Sequence, residues 1–427
     1  MQGSQSPPTS SRPRKLTVVG VVSLFTEMLS NRAKRRRLME YKAEKAQLIL
    51  DTMQALVDIP DIVPSSRLKL KQGLVKLSAD SGLSPSCFSL TGLDIDDFSP
   101  WDGTEGGFGE IYSGTFHQQR LCIKVVKLRY KSRTDKSVRD FLKEGVTWGQ
   151  IIHPNILPFY GIYRLQDKFN RLSLVSPWLE DGNVNIYLEQ FPDANRILLV
   201  YDIIQGIAHL HNEGIIHGDL KGPNILVTKA GRACIADFGL ATISYGEKQN
   251  WTSICTSKES GGTLRWQAPE LLESESFEPT ASSDVYAFGS IMYEIFTGQI
   301  PFYEIRQPVK VMKMMLEGER PSKPAPGHVA WTQWGLTEKT WRLMQQCWED
   351  NPEERPTATE ALEAVPGLSP NGLFEDMRET KNNEYLSPSA FRHAVHAKLN
   401  PLSEETIEKV VQWLREEEHS ITRRQAR

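Results

Sequence analysis

The chain has 427 residues, of which 39% are hydrophobic and 24% are charged, a balance typical of globular proteins. This length exceeds what one compact core usually holds, so two or three domains are expected. Fifty Lys plus Arg residues against 53 Asp plus Glu give a formal net charge of −3. That balance argues against a strongly basic nucleic-acid-binding protein and against an acidic tail protein.

The five cysteines are scattered along the chain and lack the paired spacing of a structural zinc site. No disulfide framework is therefore expected, and a reducing compartment, the cytoplasm, is the expected location.

No apolar run approaches the roughly 20 residues that cross a bilayer. Segment 18–25 follows basic residues, as in a signal peptide, but no small-residue cleavage site comes after it. We expect this segment to be a buried strand or helical turn.

Residues 1–30 are predicted to be largely disordered, and residues 31–92 to form a helical extension. A first helix is expected over 31–57. A second is expected to begin at Ser65 or Ser66 and to end near Gly82. The first helix carries the basic run Lys34, Arg35, Arg36 and Arg37. This run is either solvated helix surface or a site for nucleic acid, anionic lipid or a nuclear import receptor.

The middle of the chain, 93–366, changes from strand-like to helical texture along its length. A linker over 367–385 and a helical C-terminal tail over 386–427 are predicted to follow. Apolar patterning predicts strands at 111–112, 121–128 and 172–175, a turn at 117–119, a helix at 141–152 and a strand-turn-strand at 225–235. The last helix is predicted from the Ser403 cap and an apolar stripe of Ile407, Val410, Val411 and Leu414.

A glycine-rich segment, Gly103-Thr-Glu-Gly-Gly-Phe-Gly-Glu-Ile111, lies between two predicted strands. Glycines let the backbone approach phosphate oxygens, although a plain hairpin turn has the same composition. Lys124 lies in an apolar strand and needs an anionic partner if it is buried. Glu144 on the next helix is one candidate partner. The alternatives are an exposed edge-strand Lys and a solvated Glu.

A second polar cluster follows in the segment His217-Gly-Asp-Leu-Lys-Gly-Pro-Asn224. Here Asp219 can orient a hydroxyl and accept its proton, Lys221 can neutralise a phosphoryl oxygen, and Asn224 can bind a hard cation. Asp237-Phe-Gly follows, and an Asp at a strand end beside a Gly suits magnesium. A lone Asp-Phe-Gly is weak evidence, but in this order after the Asp219 loop it is strong.

In order and spacing these segments resemble a eukaryotic protein kinase domain over about residues 93–365. Further matching segments are Ala268-Pro-Glu270, Asp284-Val-Tyr-Ala-Phe-Gly289 and Cys347-Trp…Arg355-Pro356. The last of these and Gly-Thr-Leu-Arg-Trp266 resemble the tyrosine-kinase-like group of Ser/Thr kinases. The resemblance implies an α+β, bilobal fold with a small β-rich N-lobe, a larger helical C-lobe and flanking helical extensions.

The resemblance also implies residue roles, with ATP as co-substrate and Mg²⁺ as the metal. ATP binding would involve Gly106, Gly107, Phe108, Gly109, Ile111, Cys122, Lys124, Glu144, Ser176, Leu179 and Leu226. Catalysis would involve Asp219, Lys221 and Thr263, and Mg²⁺ would be held by Asn224 and Asp237. In addition, Asp284 would brace the Asp219 loop through backbone amides, and Glu270 and Arg355 would form a structural ion pair.

The implied activity is transfer of the γ-phosphate of ATP to Ser or Thr hydroxyls of protein substrates in signal transduction. Lys221 and Thr263 match the Ser/Thr kinases rather than the tyrosine kinases. Two positions depart from the family pattern. Thr104 stands at the first glycine of the loop, and Gly218 replaces the Arg that commonly receives an activation-loop phosphate. We therefore hypothesise that activity does not depend on phosphorylation of that loop.

Two other functional classes remain open at this point. A pseudokinase would use the same fold as a nucleotide-binding scaffold with little phosphoryl transfer, and the irregular glycine loop and Gly218 favour it. The N- and C-terminal helices could instead dock a protein partner, although amphipathic stripes more often pack within their own chain. No nucleic-acid partner and no membrane span are expected.

Overall fold

The computed structural model describes residues 17–95, 110–125, 135–165, 171–239, 242–243, 263–273, 278–369, 374–378, 384–395 and 402–425. The chain divides into two compact units. The smaller consists of Met1–Leu83 and Asn400–Arg427, and the larger of Ser84–Leu399.

The helices, in chain order, are α1 (Val18–Ser30), α2 (Arg32–Met39), α3 (Ala43–Val57), α4 (Pro64–Ser81), α5 (Asp135–Trp148), α6 (Val184–Gln190), α7 (Arg196–Asn212), α8 (Pro269–Glu273), α9 (Ala281–Thr297), α10 (Pro308–Leu316), α11 (Val329–Thr332), α12 (Glu338–Cys347), α13 (Ala358–Ala364), α14 (Pro388–Val395) and α15 (Glu404–Gln425). The strands are β1 (Ser89–Leu90), β2 (Asp94–Ile95), β3 (Glu110–Phe116), β4 (Gln119–Val125), β5 (Gly161–Arg164), β6 (Leu172–Pro177), β7 (Ile215–Ile216), β8 (Ile225–Val227), β9 (Ala233–Ile235) and β10 (Thr242–Ile243).

The smaller unit is a helical bundle in which α15 packs against α1, α2 and α3. As predicted, Ser403 caps α15, accepting a hydrogen bond from the Thr406 amide at 3.3 Å. Val410 and Leu414 on its apolar stripe are fully buried. Lys409 also pairs with Glu44 on α3 at 2.6 Å. The apolar stripes of both chain ends are therefore covered by packing within the chain, which is the more common use of such stripes.

The expectation of a largely disordered segment 1–30 is corrected for residues 18–30, which form α1, whereas residues 1–16 lie outside the described residues. Val21, Phe25 and Met28 recur at helical spacing and are fully buried, so this segment has a continuous apolar face to pack. The single helix expected over 31–57 is interrupted after Met39 and resumes at Ala43. Helix α4 ends at Gly82, as predicted, and Gly82 adopts a left-handed φ of 76°.

Near the basic run, acidic side chains lie within ion-pair distance. Lys34 is 2.6 Å from Glu27, and Arg37 is 3.7 Å from Glu40. These contacts favour the interpretation of the run as helix surface. Among the residues that the structure describes, no helix has the length and apolar character needed to cross a membrane.

The larger unit begins with a six-stranded sheet in the order β1-β5-β6-β4-β3-β2, accompanied by α5, and we call this part the N-lobe. The predicted turn joins β3 to β4, with His117 and Gln118 both at positive φ. Helix α5 begins before the predicted 141 and ends at Trp148 rather than 152. Strand β4 ends at Val125, and the rest of the predicted strand 121–128 lies outside the described residues.

The remainder of this unit, which we call the C-lobe, is mainly helical and contains α6 to α13 with the short strand pairs β8–β9 and β7–β10. Helix α9 runs through its centre, and nearly every residue from Ser283 to Thr297 is buried. The predicted strand-turn-strand at 225–235 is present as β8 and β9. Strand β8 carries Leu226, and the chain after β9 leads into Asp237.

The predicted domain boundaries after 366 differ from the units observed. The tail 386–427 is divided, because α14 belongs to the larger unit and α15 to the bundle. Within the predicted linker 367–385, Arg378 is ion-paired to Asp202 at 2.8 Å. A single anchoring residue in a polar stretch has no periodicity for a sequence pattern to reveal, so the sequence predicts only a linker here.

Candidate active site

One face of the N-lobe sheet carries the predicted nucleotide-binding residues. Lys124 on β4 is opposite Ile111 on β3, and Cys122 is opposite Ser176 on β6. Side chains alternate between the two faces of a strand, so Ile111, Cys122, Lys124 and Ser176 share one face. The intervening Leu121, Ile123 and Val125 are buried in the core on the other face.

Lys124 lies in an apolar strand, and the sequence predicts that it needs an anionic partner if it is buried. The structure places two carboxylates beside it. Its Nζ lies 2.6 Å from Asp237 Oδ1 and 3.6 Å from Glu144 Oε1, and all three side chains are less than 20% exposed. Burial alone would lower the pKa of Lys124, but Asp237 and Glu144 offset this effect and raise it. Lys124 therefore stays charged, and Glu144 on α5 is its partner rather than a solvated surface residue.

The cleft residues on the C-lobe side lie on a braced loop. Asp284 at the start of α9 accepts hydrogen bonds from the backbone amides of His217 and Gly218, both at 2.9 Å. This bracing was predicted and is confirmed. Gly218 has a φ of 77°, a conformation that glycine adopts without the steric cost paid by other residues.

Asp219, Lys221 and Asn224 on this loop meet Thr263 from a later segment of the chain, as predicted. Lys221 Nζ donates to Asp219 Oδ2 at 2.8 Å and to Thr263 Oγ1 at 3.1 Å. Asn224 Nδ2 donates to the Asp219 carbonyl at 2.7 Å and to its Oδ2 at 3.1 Å. Burial raises the pKa of Asp219, with Lys221 opposing the shift. Lys221 and Asn224 thus both hold the Asp219 carboxylate through its Oδ2 atom.

The other oxygen, Asp219 Oδ1, is buried and has no hydrogen-bond partner among the described residues. An unpaired buried carboxylate oxygen is costly unless another group uses it. It is therefore free to accept a hydrogen bond from a substrate hydroxyl. A small pocket beside it is lined by residues that include Thr263, Trp266 and Leu271.

Asp237 lies at the junction of the two lobes. Burial would raise its pKa, but Lys124 outweighs that effect and keeps the pKa below its usual value. Its φ of 65° is left-handed. The following Phe238 is fully buried, stacks on Trp148 at 5.6 Å between ring centroids and packs on His217 at 5.1 Å. This packing holds the Asp237 carboxylate toward Lys124.

The donor set fits a magnesium ion that is shared with a nucleotide. Among the described residues, no group of three or more His, Cys, Asp or Glu forms an all-protein metal cage. Mg²⁺ is commonly bound through one or two protein carboxylates together with substrate phosphates and waters. Asp237 and Asn224 provide one carboxylate and one amide on the same side of the cleft, so they fit that pattern.

The segment that follows β6 joins the two lobes, and we call it the hinge. The Leu179 carbonyl accepts a 3.4 Å hydrogen bond from the Gly182 amide, and its side chain is buried. Leu226 on β8 is half-buried. Burial raises the pKa of the Cys122 thiol to about 11, so it is a neutral wall residue suited to a flat apolar base.

Four of the predicted residues, Gly106, Gly107, Phe108 and Gly109, lie outside the described residues, as does Thr104.

Away from the cleft, the predicted pair of Glu270 and Arg355 is confirmed. The two side chains form a bidentate contact at 2.7 and 2.8 Å, and the arginine side chain is fully buried.

The sequence interpretation missed Glu294 on α9. Its Oε1 accepts hydrogen bonds from the Gly222 amide at 2.9 Å and from the Trp266 indole, and its Oε2 accepts one from Asn185 at 2.9 Å. A Cβ at position 222 would lie 2.5 Å from the Glu294 carboxylate. A glutamate inside an otherwise apolar helix was the available signal, because a buried charge needs partners.

Comparison with known proteins agrees with this geometry. A family model described as protein tyrosine and serine/threonine kinase matches residues 104–365. The chain belongs to this protein kinase family. Both the family and the bilobal α+β fold predicted from the sequence are therefore confirmed.

Several curated kinases are similar to this chain. The serine/threonine-protein kinase STY46 of Arabidopsis thaliana is 28% identical over 292 residues, which is 67% of this chain and 46% of the relative. The serine/threonine/tyrosine-protein kinase HT1 of the same plant is 28% identical over 258 residues, 59% of this chain and 61% of the relative. The human receptor-interacting serine/threonine-protein kinase 1 is 31% identical over 267 residues, 59% of this chain and 38% of the relative. The chain thus spans about half the length of the curated relatives it matches.

Proposed function

We propose that this chain is an ATP-dependent protein kinase that transfers the γ-phosphate of ATP to Ser or Thr hydroxyls of protein substrates in signal transduction. The observation that carries the proposal is the pairing of two arrays in one unit. Lys124 with Glu144 and Asp237 forms a phosphate-binding array. Asp219 with Lys221 and Thr263 forms a hydroxyl-orienting array.

In the proposed mechanism, positioning and charge neutralisation supply most of the rate enhancement. Asp219 Oδ1 accepts the hydrogen bond of the substrate hydroxyl and aims its oxygen at the γ-phosphorus. The new O–P bond forms as the bond from the γ-phosphorus to the leaving oxygen of ADP breaks, and the hydroxyl proton passes to Asp219. Lys124 binds the α- and β-phosphates, and Lys221 neutralises charge on the transferred group.

Asn224 and Asp237 are the residues proposed to hold Mg²⁺, which when bound neutralises phosphate charge. The proposed adenine contacts are Ile111, Cys122 and Leu226, with Ser176 and Leu179 at the hinge. The glycine-loop residues Gly106, Gly107, Phe108 and Gly109 are proposed to cover the phosphates.

The preference for Ser and Thr rests on the hydrogen bond between Lys221 and Thr263. In the Ser/Thr kinases that this chain resembles, the corresponding Thr shapes a shallow substrate shelf, which a short aliphatic hydroxyl fits. The relatives named above carry serine/threonine in their descriptions, and one of them also carries tyrosine. Tyrosine phosphorylation is therefore the outcome that the acceptor assay has to exclude.

The test is phosphorylation of matched peptide libraries that contain Ser, Thr or Tyr as the only acceptor. Each library is assayed with Mg²⁺, with Mn²⁺ and with EDTA. We expect labelling of the Ser and Thr libraries that EDTA abolishes. A Lys124→Met variant is the control for binding of the phosphates, and it should lose labelling of every library. Label confined to the Tyr library would contradict the proposed specificity.

A pseudokinase remains the other candidate from the same fold, but the complete residue set disfavours it. A scaffold has no need of a buried base with one open oxygen together with two magnesium-binding side chains.

We also propose cytoplasmic location and protein substrates as the partners. The five cysteines lack the paired spacing of a disulfide framework or a zinc site, which supports a reducing compartment.

A further inference from the structure

The chain does not leave the larger unit after the family match ends at residue 365. Residues 374–378 and 384–395 lie along that unit, and we call these two described segments the C-terminal strap. Its two ends contact different lobes. No activity or relative discussed above assigns a role to these residues.

The first end of the strap is anchored on the C-lobe by charge. The Arg378 guanidinium makes a bidentate contact with Asp202 on α7, at 2.8 and 3.1 Å, and donates to the Gly231 carbonyl at 2.7 Å. Asp376 bonds Arg232 at 3.0 Å. The Asp202 side chain is fully buried, so this paired arginine fork is strongly held.

The second end is anchored on the N-lobe by an aromatic stack. Phe391 on α14 is fully buried and stacks parallel to Tyr160, with ring centroids 3.9 Å apart. It belongs to the same apolar core as Leu121, Ile123 and Val125, on the face of the sheet opposite to Lys124. The strap therefore supports the strand that carries Lys124 from behind.

The strap crosses from one lobe to the other within three residues. Glu384 accepts a 3.0 Å hydrogen bond from the Lys229 amide, which lies in the C-lobe turn between β8 and β9. Leu386 then donates to Gln119 at the start of β4, at 3.3 Å, and its carbonyl accepts from the Tyr160 hydroxyl at 2.9 Å. This crossing is a second covalent connection between the lobes besides the hinge.

We propose that the C-terminal strap is a positioning element of the kinase reaction. By tying both lobes together it holds Lys124 in register with Asp219 and Asp237, and so raises the affinity for Mg-ATP. This inference rests on the proposed function. Phe391 and Arg378 are positioning residues, because they touch neither nucleotide nor substrate.

The test uses the full chain with Phe391→Ala, Arg378→Ala and the double variant, measuring the Kd of Mg-ATP, kcat, KM for ATP and Tm. Because a tether weakens when the main anchor at either end is lost, each single variant should weaken ATP binding by about fivefold or more. The double variant should then bind no more weakly than the weaker single variant. Unrelated defects at distant sites would instead multiply.

A matched control is Leu343→Ala, which truncates a buried side chain on α12 in the C-lobe away from the strap. It should lower Tm while leaving the Kd of ATP within about twofold. If Phe391→Ala fails to fold, Tyr160→Phe takes its place. This variant keeps the ring stack and removes only the hydrogen bond to Leu386.

Unchanged ATP affinity in both single variants, or losses that multiply in the double variant, would overturn the proposal. If the wild-type chain binds no ATP, the proposed function fails, and hydrogen exchange still tests the strap. In that case Arg378→Ala, at the C-lobe end, should raise amide exchange in α14 on the N-lobe. Unchanged exchange in α14 would refute the tether without reference to nucleotide.

Discussion

Glu294 carries a carboxylate into the centre of the C-lobe, and three N–H donors from three parts of the chain satisfy it. One is the amide of Gly222, next to Lys221, and another is the indole of Trp266, which lines the small pocket at Asp219. Burial raises the pKa of this carboxyl group. Glu294 thus links the loop that carries Asp219 to the segment that carries Thr263 and Trp266.

We expect Glu294→Ala to lower kcat by about tenfold or more and to lower Tm, because each donor left unpaired costs about 1–3 kcal/mol. Glu294→Gln is the matched control. Its amide oxygen can keep the bonds from Gly222 and Trp266, and Asn185 can flip its amide to accept from the new NH₂ group. Recovery of most of kcat in this variant is the expected result. Equal damage from both variants would show that the charge itself is required.

The left-handed Gly218 bears on regulation. An arginine at this position would supply the usual receptor for an activation-loop phosphate, and glycine supplies none. We expect kcat to stay within about twofold when all candidate phosphorylation sites of the loop are replaced by Ala. These sites are Thr242, Ser244, Tyr245, Thr252, Ser253, Thr256, Ser257 and Ser260. A collapse of activity that phosphatase treatment of the wild type reproduces would contradict the hypothesis.

At the level of elements, α15 shows what local sequence signals can establish. Its cap at Ser403 and its apolar stripe were visible because both lie within a few turns of helix. Its packing against α1, α2 and α3 was not predictable, because those helices are more than 300 positions away in the chain. The same reason applies to α1. The sequence predicts only a buried strand or helical turn over 18–25, because the helices that pack against α1 lie elsewhere in the chain.

Leu414 on α15 tests whether the bundle is one cooperative unit. We expect Leu414→Ala to lower the free energy of opening by about 2–5 kcal/mol, since the side chain is fully buried. Hydrogen exchange should then accelerate in α1, α3 and α4 as well as in α15. Glu416→Ala, an exposed change on the same helix, is the control and should leave exchange unaltered. Acceleration confined to α15 would show that the helix only rests on a bundle that is stable without it.

At the scale of the whole molecule, the proposed catalytic residues and the Asp284 bracing were predictable, whereas the supports given by Glu294 and Phe391 were not. Lys124, Asp219 and Asp237 occur in ordered motifs whose spacing is fixed by local strands and loops. Phe391 and Glu294 act through contacts with residues far away in the sequence, and each stands alone in its own segment. A charged residue inside an apolar helix marks Glu294 as needing partners. The fold is required to identify those partners, and the same holds for the partners of Phe391.

The measurement that tests the central claim most directly compares the wild type with Asp219→Asn for both Mg-ATP binding and γ-phosphate transfer. Asparagine keeps the size of the side chain and the acceptor for Lys221, but it cannot take up the hydroxyl proton. We predict that the Kd of Mg-ATP stays within about twofold while transfer to a Ser/Thr peptide falls roughly 10²-fold or more. Transfer that persists in this variant, or a wild type that binds Mg-ATP without transferring phosphate, would contradict the account.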